Sequence, residues 1–89
     1  MQKQHDAESP SQLTVRLWGR NISQARIASG LTQEELGSMF EPVPVHQSTV
    51  ARWESGKIEP SLDHKLALAR HLARPAATLF PLPTIIEAA

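Results

Sequence analysis

Apolar positions recur at helical spacing over most of the chain, and glycines and prolines divide it into short segments. Between Thr14 and Ser29, the residues Trp18, Ile22, Ala25 and Ser29 fall on one continuous stripe, which predicts an amphipathic first helix. Gly19 lies inside it and, on propensity alone, weakens it by up to about 1 kcal/mol. Gly30 is placed to end it by accepting the left-handed conformation. Thr32 and Glu35 have the spacing of a capping box, each side chain satisfying the other's amide. A second helix is therefore predicted from Thr32 to about Phe40, with Leu36 and Phe40 inward. Pro42 and Pro44 forbid its continuation and leave Glu41 to Val45 as a stiff connector. A third helix is predicted from about Gln47 to Ser55, closed by Gly56. Ser61, after Pro60, is an N-cap for a fourth helix running to about Ala73, with Leu62, Leu66, Ala69 and Leu72 as its buried side and Pro75 as its stop. Ala76 to Phe80 has room for one further turn. The predicted class is all-α, a compact bundle of four to five helices.

Composition narrows the chemistry. A length of 89 residues fits one domain, expected here as a disordered N-terminal arm over 1–12, a helical domain over 13–80 and an apolar C-terminal tail over 81–89. Aromatics are only 4%, so the core is expected to be aliphatic, with Trp18 and Trp53 as its large pieces. There is no cysteine, which excludes disulfide and thiolate-metal chemistry. No apolar run approaches the roughly 20 residues of a membrane span and the start is no signal peptide, so a cytoplasmic protein is expected. Lys and Arg (9) balance Asp and Glu (9), so no global charge draws the chain to a polyanion. Asp6, Glu8 and Glu87 lie in the expected tails, however, leaving the middle slightly positive.

Enzymatic readings find no residues to carry them. His64 and His71 are wider apart than the one-turn spacing a metal pair prefers, and no nucleophile–base pair, phosphate-cradling loop or carboxylate cluster occurs. The expectation is a non-enzymatic chain with no metal and no cofactor. Arg16 with Arg20, and Arg70 with Arg74, read as solvated faces.

The third helix carries the most specific pattern. With Val50 and Trp53 on its buried side, a 100° step per residue turns Ser48, Ala51 and Arg52 outward, and Gln47 projects from its N-terminal end. Glutamine pairs with adenine edges, arginine with guanine, and the alanine methyl meets thymine methyls. If His46, just before this helix, faces a phosphate, its charged form adds affinity at mildly acidic pH.

With Gln24-Ala25-Arg26, Gly30-Leu31-Thr32-Gln33-Glu34-Glu35-Leu36, Ser48-Thr49-Val50-Ala51-Arg52-Trp53-Glu54, Gly56-Lys57 and Pro60 in this order, the segment from Asn21 to Phe80 resembles the phage-repressor and Cro-like (XRE) helix-turn-helix family. The resemblance implies a lambda-repressor-like DNA-binding domain whose second and third helices form the reading unit. It implies base reading by Gln47, Ser48 and Arg52, with Ala51 on the same face. It implies DNA-phosphate contacts at Gln33 and neighbouring Thr32, and at Thr49 and Lys57. Arg26 and Glu54 match a pair that forms a largely buried salt bridge between helices one and three in several family members. The connector Phe40 to His46 departs from the pattern, being longer than the family's tight glycine turn. It either shifts the reading helix or bulges into solvent.

The expected function is sequence-specific binding of double-stranded DNA by a bacterial or phage transcriptional regulator, a repressor acting as a homodimer. Two reading helices would then lie about 34 Å apart on successive major grooves. Leu79, Phe80, Leu82, Ile85 and Ile86 are too many apolar groups for a monomer surface; they seal the core or pack against a second copy, so residues 76–89 are the candidate dimer segment. Two alternatives compete: an antitoxin whose apolar tail docks on a toxin, and a protein–protein adaptor on the same scaffold.

Overall fold

Serine at position 9 opens the first helix. A computed structural model describes residues 8–83, which form α1 (Pro10–Ala28), α2 (Gln33–Ser38), α3 (Gln47–Ser55), α4 (Leu62–His71) and α5 (Ala76–Leu79), with no strand among the described residues. The Ser9 hydroxyl accepts from the Gln12 amide at 3.2 Å, and the Gln12 side chain accepts from the Ser9 amide at 2.9 Å. Pro10 occupies a position where its missing N–H costs nothing. α1 therefore starts four residues before the expected Thr14, and residues 9–12, assigned to a disordered arm on polarity, are its cap and first turn. Of the rest of that arm, Glu8 is described and residues 1–7 lie outside the described residues.

Trp18, Ile22 and Ala25 are buried along α1. Ser29 is not; it is exposed, and its hydroxyl bonds back to the Ala25 carbonyl at 2.9 Å. Gly30 and Gly56, with φ of 74° and 80°, follow the ends of α1 and α3. α2 has the Thr32–Glu35 capping box but stops at Ser38, two residues before Phe40, and Met39 caps it. Phe40 still turns inward, with its ring centroid 5.7 Å from that of Trp53 and 4.9 Å from that of His71.

The fourth helix corrects the expected stripe. Leu62 is 69% exposed and Leu66 49% exposed, and the buried leucines are Leu68 and Leu72. The inward face is completed by polar residues that apolar counting passes over. His64 and His71 set their rings against Phe40, and the Lys65 ammonium lies 4.3 Å above the Trp18 ring while bonding Glu59 at 2.6 Å. Ser61 caps this helix as expected.

Leu36, Val50, Trp53, Leu68, Leu72, Leu79 and Phe80 form the centre of the core. Each such side chain stabilises the fold by about 1.5–3 kcal/mol on burial. Leu79 and Phe80 thus seal the core, and the segment around them is held to α1 by Trp18 Nε1 donating to the Pro81 carbonyl (2.8 Å) and Asn21 Nδ2 to the Leu79 carbonyl (3.0 Å). Leu82 remains 77% exposed, and Ile85 and Ile86 lie outside the described residues. Among the described residues no helix is long and apolar enough to cross a membrane.

Gly19, expected only to weaken α1, is where α1 crosses α3. A β-carbon at this position would lie 2.4 Å from the Trp53 carbonyl oxygen. Only the absence of a side chain allows that approach, and it sets the height at which α3 lies on the domain.

Candidate nucleic-acid interface

α3 is anchored from beneath by Val50 and Trp53, both essentially without solvent contact. That leaves Gln47 and Arg52 exposed, with Ser48, Thr49 and Ala51 half-buried beside them. Lys57 is exposed immediately beyond Gly56, its amide returning to the Arg52 carbonyl at 2.9 Å. Among the described residues neither Arg52 nor Lys57 forms an ion pair.

The longer connector does not separate α3 from α2. Phe40 is fixed in the core at one end, and at the other Val45 packs against the core and its amide donates to the Gly37 carbonyl at 2.9 Å. Glu41, Pro42, Val43 and Pro44 between these anchors are all exposed. The extra length bulges into solvent.

His46 sits at the N-cap of α3, where its Nδ1 accepts from the Ser48 amide at 3.0 Å. An accepting Nδ1 requires the neutral ring with its proton on Nε2. The Ser48 hydroxyl lies 2.9 Å from the same nitrogen. The sequence suggested a phosphate contact for His46; its capping role has a local signal in the polar residue directly before an apolar-periodic run.

Behind the exposed face runs a chain of hydrogen bonds. Arg26 Nε donates to Glu54 Oε2 at 2.6 Å and Arg26 Nη2 to Glu54 Oε1 at 3.1 Å, a bidentate pair whose side chains are 13% and 8% exposed. Arg26 Nη1 also donates to the Leu31 carbonyl at 2.7 Å, tying the turn before α2 into the pair. The hydrogen bonds to Glu54 raise the Arg26 guanidinium above its ordinary value, against the opposing effect of burial. Gln33 Nε2 donates to Glu54 Oε1 at 3.0 Å, and Gln47 Nε2 donates to Gln33 Oε1 at 2.6 Å. Gln33 and Gln47 are thus joined to each other and to the buried pair, a juxtaposition across three helices that no local pattern announces. Thr32 is exposed, its hydroxyl accepting from the Glu35 amide at 3.0 Å. Of the residues singled out by sequence, the structure gathers Gln33, Gln47, Ser48, Thr49, Ala51, Arg52 and Lys57 on and beside α3.

The family model for helix-turn-helix domains matches residues 22–79, from the middle of α1 to the end of α5. The chain belongs to the XRE-type helix-turn-helix family. In this helix-turn-helix domain α2 and α3 are the paired helices that give the family its name, and α1, α4 and α5 are their support. A solved structure, Bacillus thuringiensis PlcR in complex with the peptide PapR7 and DNA, is similar at 35% sequence identity with a TM-score of 0.63. The likeness covers 73% of this chain and 22% of the PlcR chain. No curated protein matches. Among the described residues of this helix-turn-helix domain, no group of His, Asp and Glu gathers in the number that would hold a metal ion.

Proposed function

We propose that the chain is a sequence-specific, double-stranded DNA-binding transcriptional regulator that reads the major groove with α3. The observation that carries this reading is the outward row of exposed Gln47 and Arg52 with half-buried Ser48 and Ala51, on a helix anchored by Val50, Trp53 and the Arg26–Glu54 pair. A helix anchored this way presents its outward side chains to base edges without backbone rearrangement. The likeness to PlcR, whose solved complex contains DNA, supports the same reading. Lys57, Thr49, Gln33 and Thr32 flank the row and are the proposed phosphate contacts, which position the helix without reading sequence. His46 caps α3 and acts on DNA through the helix it starts.

One α3 spans only a few base pairs, so the proposed active form is a homodimer on a two-fold operator, repressing by occlusion. Exposed Leu82, at the edge of the described chain, favours the C-terminal end as the pairing surface. The test is titration against duplex DNA at several salt concentrations with wild type, Gln47→Ala, Arg52→Ala and Lys57→Ala. Loss of Gln47 or Arg52 is expected to flatten sequence preference by about 1–3 kcal/mol, whereas loss of Lys57 weakens all sequences alike and reduces the salt slope by about 1. Absence of salt-sensitive binding by wild type would overturn the proposal.

A further inference from the structure

Two members of this chain have a hydrogen-bonding sense fixed by their chemistry, Arg26, which can only donate, and Glu54. An ionised carboxylate accepts and never donates, and both its oxygens already accept from Arg26. Gln33 must therefore face Glu54 with its nitrogen, which is the arrangement at 3.0 Å. The Gln33 carbonyl oxygen then has one direction left, outward to α3, and Gln47 must meet it with nitrogen, as it does at 2.6 Å. One N–H of Gln47 is consumed. What remains free is its carbonyl oxygen together with its second N–H, an acceptor beside a donor.

Resting on the proposed base-reading role of Gln47, we infer that Glu54 sets which base Gln47 reads, acting through Gln33 as a positioning residue. An acceptor beside a donor complements adenine, which offers N6–H and N7 in the major groove. Were Gln33 reversed, Gln47 would turn its oxygen inward and present only its amide hydrogens, which complement the N7 and O6 acceptors of guanine. The acidic group beneath the surface thus selects adenine over guanine without approaching the DNA. The Arg26–Glu54 pair has a second role beyond holding α3, because Arg26 holds the Glu54 carboxylate in the orientation that meets Gln33.

The test compares wild type, Gln47→Ala, Gln33→Leu, Glu54→Gln and Arg52→Ala by selection from a randomised duplex pool. Dissociation constants are then measured on duplexes carrying adenine or guanine at the pair whose preference Gln47→Ala abolishes. Wild type is expected to prefer adenine there by about tenfold or more. Gln33→Leu, which leaves the ion pair intact, and Glu54→Gln, whose amide can point either way, are expected to lose most of that ratio while keeping the preference that Arg52→Ala abolishes. In the free protein, the side-chain amide resonances of Gln47 are expected to shift in both variants, a readout independent of DNA. If Glu54→Gln fails to fold, Gln33→Leu decides. A Gln33→Leu protein that weakens all sequences alike and keeps the full adenine ratio overturns the relay, as does a wild-type preference for guanine at that pair. A wild type with no sequence preference overturns the DNA-reading function itself, so the two failures are distinct.

Discussion

The α-carbon of Gly19 faces the carbonyl oxygen of Trp53 so closely that a β-carbon there would lie 2.4 Å away, with the Glu54 carbonyl oxygen at 2.6 Å. Both obstacles are backbone atoms of α3 and cannot rotate aside. Alanine at position 19 gains about 1 kcal/mol in helix propensity. Forcing the two helices apart costs more, and Gly19→Ala is expected to destabilise the domain by about 2 kcal/mol net. Urea unfolding checks this. Under the proposed function, the folded fraction of the same variant also binds duplex DNA more weakly, because α3 is lifted from its seat.

The Arg26–Glu54 pair predicts a non-additive mutant cycle. Arg26→Met alone leaves a buried carboxylate unpaired, and Glu54→Leu alone leaves a buried guanidinium. Each is expected to lose about 3–5 kcal/mol. The double variant removes both charges and is expected to recover most of that stability. Equilibrium unfolding of the four proteins reads the coupling directly, and additive losses would show that the pair is better solvated than its geometry implies.

Local chemistry explains how much of this was legible in the sequence. The Thr32–Glu35 capping box, the Gly56 stop and the inward Val50 and Trp53 each depend on residues within a few positions of one another, so one dimension sufficed. Ser9 and Gln12 carry a capping box as legible as the second, yet the polar composition around them pointed to an arm. The register of α4 was not legible from apolar spacing, because its inward side includes the half-buried His64, Lys65 and His71, which cover rings and methylenes under polar names. The role of Gly19 and the line from Gln47 through Gln33 to Glu54 were hidden for a different reason. Both are made by helices crossing, and residues 21 positions apart meet only in the fold.

His71 gives the fold an acid sensitivity. Its Nε2 is buried with no hydrogen-bond partner among the described residues. Burial first, and then the charge of Arg70, push the imidazole below its usual value, with Glu41 pulling the other way. A histidine depressed in the folded state is bound more tightly by protons when unfolded, so its contribution is complete above about pH 6.5 and is lost as pH falls through the lower folded value. The melting temperature is expected to drop on going from pH 7.5 to pH 5, and His71→Phe is expected to reduce that drop. An unchanged drop in the variant would assign the sensitivity to other groups.

Ala73 holds a left-handed backbone, φ 54°, just past α4, with its own amide bonding the Arg70 carbonyl and that of Arg74 reaching the Ala69 carbonyl at 3.0 Å. This is the helix stop that glycine usually serves. Ala73→Gly is expected to stabilise the domain by about 1 kcal/mol, the release of the left-handed penalty outweighing the added freedom of the unfolded chain. A rise in melting temperature of about 4–8 °C would register it.

The exposed bulge from Glu41 to Pro44 lets spacing and sequence length vary independently in this reading unit. Phe40 and Val45 act as two rivets, and the distance between α2 and α3 is set by where the rivets enter the core. Residues added or exchanged between them change what the domain shows to its surroundings while leaving the reading helix in place. The bulge is therefore the natural place to attach a fluorescent reporter or an affinity handle, next to the proposed DNA face and mechanically insulated from it.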